Sequence, residues 1–177
     1  MPHILLINGP AGVGKTTVTG LLAQARPGTI AISGDALRSF APDDVATFLG
    51  PGSTYRAGAA LATAYLAMGA SQVLFDYIFQ TAENVQKFKK HVPQGTRVHL
   101  FTIWAPIETV LEREATREGR NRLGARVVET YRAIERNLSH LGKVVENTGT
   151  PEMAVTTILR HVAALDDDNQ DRAQPGF

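Results

Sequence analysis

The chain has 177 residues and a mass of 19.1 kDa, with 44% of residues hydrophobic and 20% charged. That is enough for one domain with a substantial core, and it excludes intrinsic disorder of the whole chain. Eighteen lysines and arginines against 17 aspartates and glutamates leave a net charge of +1, which is not the footprint of a protein held on nucleic acid by bulk charge.

The charge is unevenly spread. Asp166–Phe177 holds four aspartates and one arginine, which leaves 17 basic against 13 acidic residues in the body. A mildly basic body suits an anionic ligand. The absence of cysteine excludes disulfides, thiolate metal sites and cysteine nucleophiles. The first residues, Met1–Asn8, are apolar but short and lack a basic leader, so they do not read as a signal peptide. No run of 18 apolar residues predicts a transmembrane helix. The expectation is a cytoplasmic protein with neither membrane nor nucleic-acid partner.

In chain order, His3–Asn8 is a continuous apolar run, predicting a strand buried on both faces. Lys15–Ala25 predicts a helix after a glycine-rich turn, Thr29–Ser33 a second strand, and Asp35–Phe40 a short helix. Ala41–Ser53 carries Pro42, Gly50, Pro51 and Gly52 and reads as a loop. Thr54–Met68 reads as a helix ended by Gly69, and Gln72–Asp76 as the third strand. Thr81–His91 reads as a helix with Thr81 as N-cap. Thr96–Trp104 is the fourth strand. Pro106 opens a helix to about Arg117, which Glu118–Gly124 interrupts before a further helix at Ala125–Leu141. Lys143–Asn147 is the fifth strand and Pro151–Leu165 the last helix. Strands alternating with helices predict an α/β fold in three layers, a five-stranded mainly parallel sheet with helices on both faces. Residues 1–165 form one domain in this reading, and 166–177 a disordered acidic tail.

The strongest motif is Gly9-Pro10-Ala11-Gly12-Val13-Gly14-Lys15-Thr16, which fits G-x-x-x-x-G-K-[ST] between a buried strand and a helix. Its glycines let the backbone curl so that N–H groups point at phosphate oxygens, and the helix start adds a positive dipole end. Lys15 reaches the β- and γ-phosphates, the Thr16 hydroxyl takes Mg²⁺, and Thr17 is the next contact, to the α-phosphate. A chance glycine turn needs neither the lysine nor the threonine. Nucleotide binding is therefore expected. The N-K-x-D that reads guanine is absent, and larger ATPase machines need more residues.

The sequence resembles the small P-loop kinases of the shikimate/gluconate kinase superfamily. Its pattern is nearest that of chloramphenicol phosphotransferase-like proteins and related AAA-type small kinases. The resemblance covers most of residues 3–163. It rests on the phosphate loop, Ser33-Gly34-Asp35-Ala36-Leu37-Arg38, Tyr55-Arg56, Val73-Leu74-Phe75-Asp76, the arginines of Arg113–Arg122, and Asn147-Thr148-Gly149. The D-x-D that shikimate kinase carries after its second strand is absent here, and only Asp35 remains.

Asp35 lies at the carboxyl end of the second strand, where ligands bind in open α/β sheets. The resemblance makes it the general base for the acceptor hydroxyl. The alternative is an N-cap for a helix beginning at Ala36, and the two roles are compatible. Asp76, ending an apolar strand, is the expected Walker-B-like carboxylate for Mg²⁺ or an acceptor contact, with a strand-end cap as the alternative.

Arg113 and Arg117 share a helix face by their i,i+4 spacing. The resemblance makes 118–124 a lid over ATP. Arg117 would stack on adenine, and Arg120 or Arg122 would act on the γ-phosphate. The alternative is a solvated helix face. The same resemblance puts Thr148 and Gly149 along the adenine edge, while turn chemistry alone also accounts for them. Arg38, Tyr55, Arg56, Asp76, Tyr77, Phe79 and Gln80 are candidates for the acceptor site, with Phe40, Phe48 and Tyr77 otherwise core. The five histidines show no metal-ligand spacing.

These readings converge on an ATP- and Mg²⁺-dependent small-molecule kinase that phosphorylates a hydroxyl of a metabolite or antibiotic. The alternatives are a nucleoside or nucleotide kinase, a toxin-like kinase acting on a nucleotide sugar, and a nucleotide-binding regulatory module. The lid arginines and Asp35 argue against the last, since a binder needs neither.

Overall fold

The computed structural model describes residues 2–42, 50–116 and 124–173, with side chains to residue 165. Five strands form one sheet: β1 (His3–Asn8), β2 (Thr29–Ser33), β3 (Gln72–Asp76), β4 (Arg97–Trp104) and β5 (Lys143–Glu146). Their order is β2-β3-β1-β4-β5 and every pairing is parallel. All six residues of β1 are buried, because the strand has neighbours on both edges and helices over both faces.

Side chains alternate across the sheet, and the core divides accordingly. Leu5 and Ile7 pack with Val18 and Leu22 of α1 (Lys15–Ala25) and with Ile158 and Val162 of α7 (Pro151–Ala173). Ile4 and Leu6 face the other way, against Tyr55, Ala59 and Ala62 of α3 (Pro51–Ala67) and Val85 and Phe88 of α4 (Ala82–Lys89). Three further helices complete the frame: α2 (Gly34–Arg38), α5 (Ile107–Ala115) and α6 (Ala125–Asn137). No helix among the described residues is long and apolar enough to cross a membrane.

The expected elements are present, and the differences lie at their ends. Helix α3 begins three residues early, because Pro51 fits its first turn. It closes where Gly69, at φ 99°, lets the N–H of Ala70 reach back to the Tyr65 carbonyl. The helix expected to run to Leu141 stops at Asn137, and a 3₁₀ turn follows at Leu138–His140. Helix α7 passes residue 165, where a disordered tail was expected to begin, and reaches Ala173. No glycine or proline lies between Glu152 and Ala173 to break it, and the next proline is Pro175.

Two glycines inside helices should respond oppositely to alanine. A Cβ on Gly20 of α1 meets nothing within 4 Å, whereas one on Gly58 of α3 runs into the Phe75 ring. Gly20→Ala should stabilise the fold by about 0.5–1 kcal/mol through helix propensity. Gly58→Ala should cost about 1–3 kcal/mol through overpacking. Urea midpoints at constant m-value measure both; equal shifts of the same sign would contradict the packing described.

Candidate functional site

The phosphate loop leaves the centre of the sheet and turns into α1. Gly14 caps that helix in the left-handed region, at φ 99°, and no side chain caps its first N–H groups. The first turn also holds no acidic residue. Its amide donors and dipole end are thereby left to an outside anion.

Neighbouring elements press on the loop from two sides. At Gly12 a Cβ would lie 2.7 Å from the Val110 carbonyl oxygen of α5, and at Gly14 it would lie 2.7 Å from Asn147 Nδ2. Both residues have positive φ, so close approach and backbone conformation independently require glycine. Between them, the Val13 carbonyl accepts from Asn147 Nδ2 at 2.8 Å and from Arg113 Nη1 at 3.4 Å. Arg113 Nη1 also donates to the Asn147 carbonyl at 2.9 Å. Helix α5 and the turn after β5 thus meet on one peptide of the loop. The Lys15 ammonium donates to the Pro10 carbonyl at 3.1 Å, which holds it over the loop.

A cavity of about 220 Å³ opens beside this loop, lined by Gly12, Gly14, Lys15, Thr16, Thr17, Asp35, Asp76 and Arg113. The two carboxylates arrive from adjacent strands. Ser33 of β2 pairs with Asp76 of β3, and Asp35 follows two residues later in the first turn of α2. Asp76 is buried and Asp35 is exposed. Asp35 does not cap its helix, contrary to the alternative reading; the Ser33 hydroxyl does, accepting from the Ala36 N–H at 3.4 Å.

The expected acceptor residues separate into layers. Tyr77 is buried with its ring against the Gly34 backbone, and its hydroxyl oxygen accepts from Arg38 Nη1 at 3.3 Å. This pair braces α2, and with it Asp35. Tyr55 lies in the core, donating its hydroxyl to the Ile78 carbonyl at 2.8 Å and stacking on Phe79. Burial, with the nearby Tyr77 adding to it, pushes the Tyr55 phenol up, so it stays a neutral donor. Arg56 is exposed and faces a separate groove with Asn84, Lys87, Lys90 and His91.

Phe79 is core, Gln80 is exposed, and Phe40 is 81% exposed rather than core. Thr148 and Gly149 are exposed, just beyond Asn147. Arg117, Arg120, Arg122, the lid at 118–124 up to residue 123, and Phe48 lie outside the described residues. No cluster of three metal-binding side chains occurs among the described residues.

Two contributors were not assigned from the sequence. Arg113 entered only as one member of an arginine cluster. Asn8, fully buried, joins the end of β1 to its surroundings by accepting from the Phe79 N–H at 2.8 Å and donating to Thr102 Oγ1 at 3.1 Å. A polar residue closing an apolar strand was the available signal for it.

A family model described as "AAA domain" matches residues 4–138. The chain belongs to this AAA-domain family. No curated protein matches it. Solved structures share the fold at low identity. A sugar kinase from Janibacter sp. HTCC2649 is 19% identical with a TM-score of 0.67, covering 90% of this chain and 94% of that one. The tunicamycin resistance protein of Deinococcus radiodurans is 23% identical with a TM-score of 0.66, covering 92% and 96%. A gluconokinase from Sinorhizobium meliloti 1021 is 17% identical with a TM-score of 0.66, covering 98% of each chain. The fold is that of the P-loop small-molecule kinases, as the resemblance implied.

The pairings around Val13 make a direct prediction. Asn147→Asp would turn an acceptor toward the Val13 carbonyl, and ATP affinity should fall by about tenfold or more, the worth of roughly one lost hydrogen bond plus repulsion. Arg113→Ala should fall similarly. Calorimetric titration with ATP, alongside circular dichroism to confirm folding, checks both; unchanged affinity in both folded variants would show that these contacts do not hold the loop.

Proposed function

We propose that the chain transfers the γ-phosphoryl group of ATP to a hydroxyl of a small-molecule acceptor. One observation carries this reading: Asp35 and Asp76, from neighbouring strand ends, line the same cavity as Lys15, Thr16 and Thr17. A site that only bound nucleotide would need the loop but not an exposed carboxylate beside it. Residues 1–165 act as the kinase domain in this reading.

The loop N–H groups and the start of α1 bind the phosphates, and Lys15 takes the β- and γ-oxygens. The Thr16 hydroxyl and the Asp76 carboxylate, which line the same cavity, are hard oxygen donors and would suit Mg²⁺, an ion that keeps several waters and needs few protein ligands. When bound, Mg²⁺ neutralises charge on the phosphate oxygens. Asp35 orients the acceptor hydroxyl and takes its proton as the oxygen bonds to phosphorus and the ADP oxygen departs. Arg113, on the cavity wall, adds positive charge beside the transferring group. Arg120 or Arg122 completes the charge from the lid, and Arg117, Thr148 and Gly149 flank the base. Arg38 and Tyr77 fix Asp35 through α2 and border the acceptor.

The fold neighbours include proteins described as sugar kinase, gluconokinase, and a shikimate kinase solved with shikimate. Their names support a hydroxylated acceptor of metabolite size; the tunicamycin resistance protein extends the class to antibiotics.

The test is mass spectrometry of reactions with ATP, Mg²⁺ and pooled sugars, sugar acids, nucleosides and hydroxylated antibiotics. Wild type should yield one product heavier by a phosphoryl group. Asp35→Asn should lower its rate by about 10²–10⁴-fold with ATP affinity retained, and Lys15→Ala should lose ATP binding. Asp76→Asn should raise the Mg²⁺ concentration needed for half-maximal rate. A nucleoside product would redirect the acceptor class. Near-normal transfer by Asp35→Asn would remove it as the base, and ATP bound but never transferred would favour a regulatory module.

A further inference from the structure

A second cavity, of about 500 Å³, lies away from the phosphate loop and shares no lining residue with it. It arises from a mismatch in strand length. Strand β4 has eight residues and β5 only four, and β5 pairs with Phe101–Trp104 alone. The first half of β4, Arg97–Leu100, pairs with β1 on one edge and, among the described residues, has no strand on the other. The Trp104 carbonyl faces the β5 side, where it accepts from the Asn147 N–H, and the Leu100 carbonyl faces Gly142 on that same side. Backbone polar groups alternate between the two edges of a strand, so the Val98 N–H and C=O also face outward, into the cavity.

The walls carry the chemistry. Val85, Val98 and Leu100 from the α4 side of the sheet, and Phe101, Ala164 and Leu165 from the α7 side, give it an apolar lining around the open edge. Around it stand Lys89 of α4, Lys143 at the start of β5, and His99, His140 and His161 from three different elements, with Gln86 beside them. No aspartate or glutamate is among the described lining residues; Glu83, next to Ala82, pairs with Lys87 at 2.8 Å, and Asp166–Asp168 follow Leu165 in sequence. Lysines and imidazoles around an apolar lining are suited to carboxylate or phosphate oxygens carried on a compact carbon body. The histidines form no metal cluster among the described residues.

The geometry points to a second binding site, for a small organic polyanion, at the half-open edge of β4. Lys89 and Lys143 pair with its charged oxygens from opposite walls, the histidines donate or accept at its rim, and the apolar lining covers its carbon skeleton. The volume is more than twice that of the phosphate-loop cavity and accommodates a metabolite rather than a bare ion.

The probes are citrate, for carboxylates, and phenyl phosphate, for phosphates, titrated into the full chain by calorimetry. Histidine ring signals are followed in parallel by NMR. Saturable binding is expected, with shifts at His140 and His161 but not at His91. Affinity should fall by about tenfold in Lys143→Glu and in Lys89→Glu, the worth of one charge-assisted hydrogen bond each, and should weaken with added salt. Lys15→Ala, which disables the phosphate loop, should keep the binding that shifts His140 and His161. Lys143→Gln and Lys89→Gln repeat the test if a charge reversal disturbs folding. Which probe binds more tightly identifies the anion. No saturable binding of either probe, binding lost in Lys15→Ala, or binding indifferent to both lysines would each overturn the site. Because Lys15→Ala separates the two cavities, failure here leaves the phosphotransferase reading standing, and the converse also holds.

Discussion

The Val13 peptide is the fixed point of the candidate active site. A phosphate loop works by aiming backbone N–H groups inward, and a curled backbone of glycines does not hold that aim unaided. Here the outward-facing Val13 carbonyl accepts from Asn147 Nδ2 and Arg113 Nη1. Anchoring carbonyls from outside leaves the opposite face of the loop free for an anion. The tight seats of Gly12 against Val110 and Gly14 against Asn147 follow from the same approach. The loop's shape is thus a property of β1, α5 and the β5–α7 turn together.

The same logic extends to the carboxylates. Asp76 is fixed because it ends a fully buried strand paired on both sides. Asp35 is exposed, so its position depends on α2. That helix has one turn's worth of intrinsic support, from the Ser33 cap, and is braced by Tyr77 against Gly34 and by Arg38 on the Tyr77 hydroxyl. Beneath this layer Tyr55, Phe75, Phe79 and Phe88 form an aromatic cluster between the sheet and α3 and α4. Apolar burial there supports a polar site one layer above, which is how a small domain combines a rigid scaffold with an open crevice.

The parallel sheet also explains the second cavity. An edge strand shorter than its neighbour leaves backbone groups uncovered, and proteins commonly protect such edges with charge. Lysines and histidines gather where β5 falls short of β4. A feature that guards an edge against pairing with another strand is, by its charge, also a receptor for anions. The two cavities sit on different stretches of the sheet and draw on different physics: helix-end dipoles and amides in one, side-chain cations around an apolar lining in the other.

Much of the framework was written locally. Continuous apolar runs bounded by glycine, proline and polar residues placed all five strands to within a residue, because burial on both faces leaves a strand no polar alternation to blur its limits. The phosphate loop was legible for the same local reason: its glycines, lysine and threonine act within a single turn. Helix ends were less legible, since they depend on caps and on where the chain meets a breaker. Hence α3 starts early at Pro51 and α7 continues to Ala173. Tertiary structure alone decided which distant side chains met the loop. Nothing in sequence marks Asn147 or Arg113 as partners of Val13, 134 and 100 residues away, or sends Tyr55 into the core and Arg56 to a different groove. Those outcomes are set by strand order and by which face of a helix turns inward, and both are resolved only when the whole sheet is assembled.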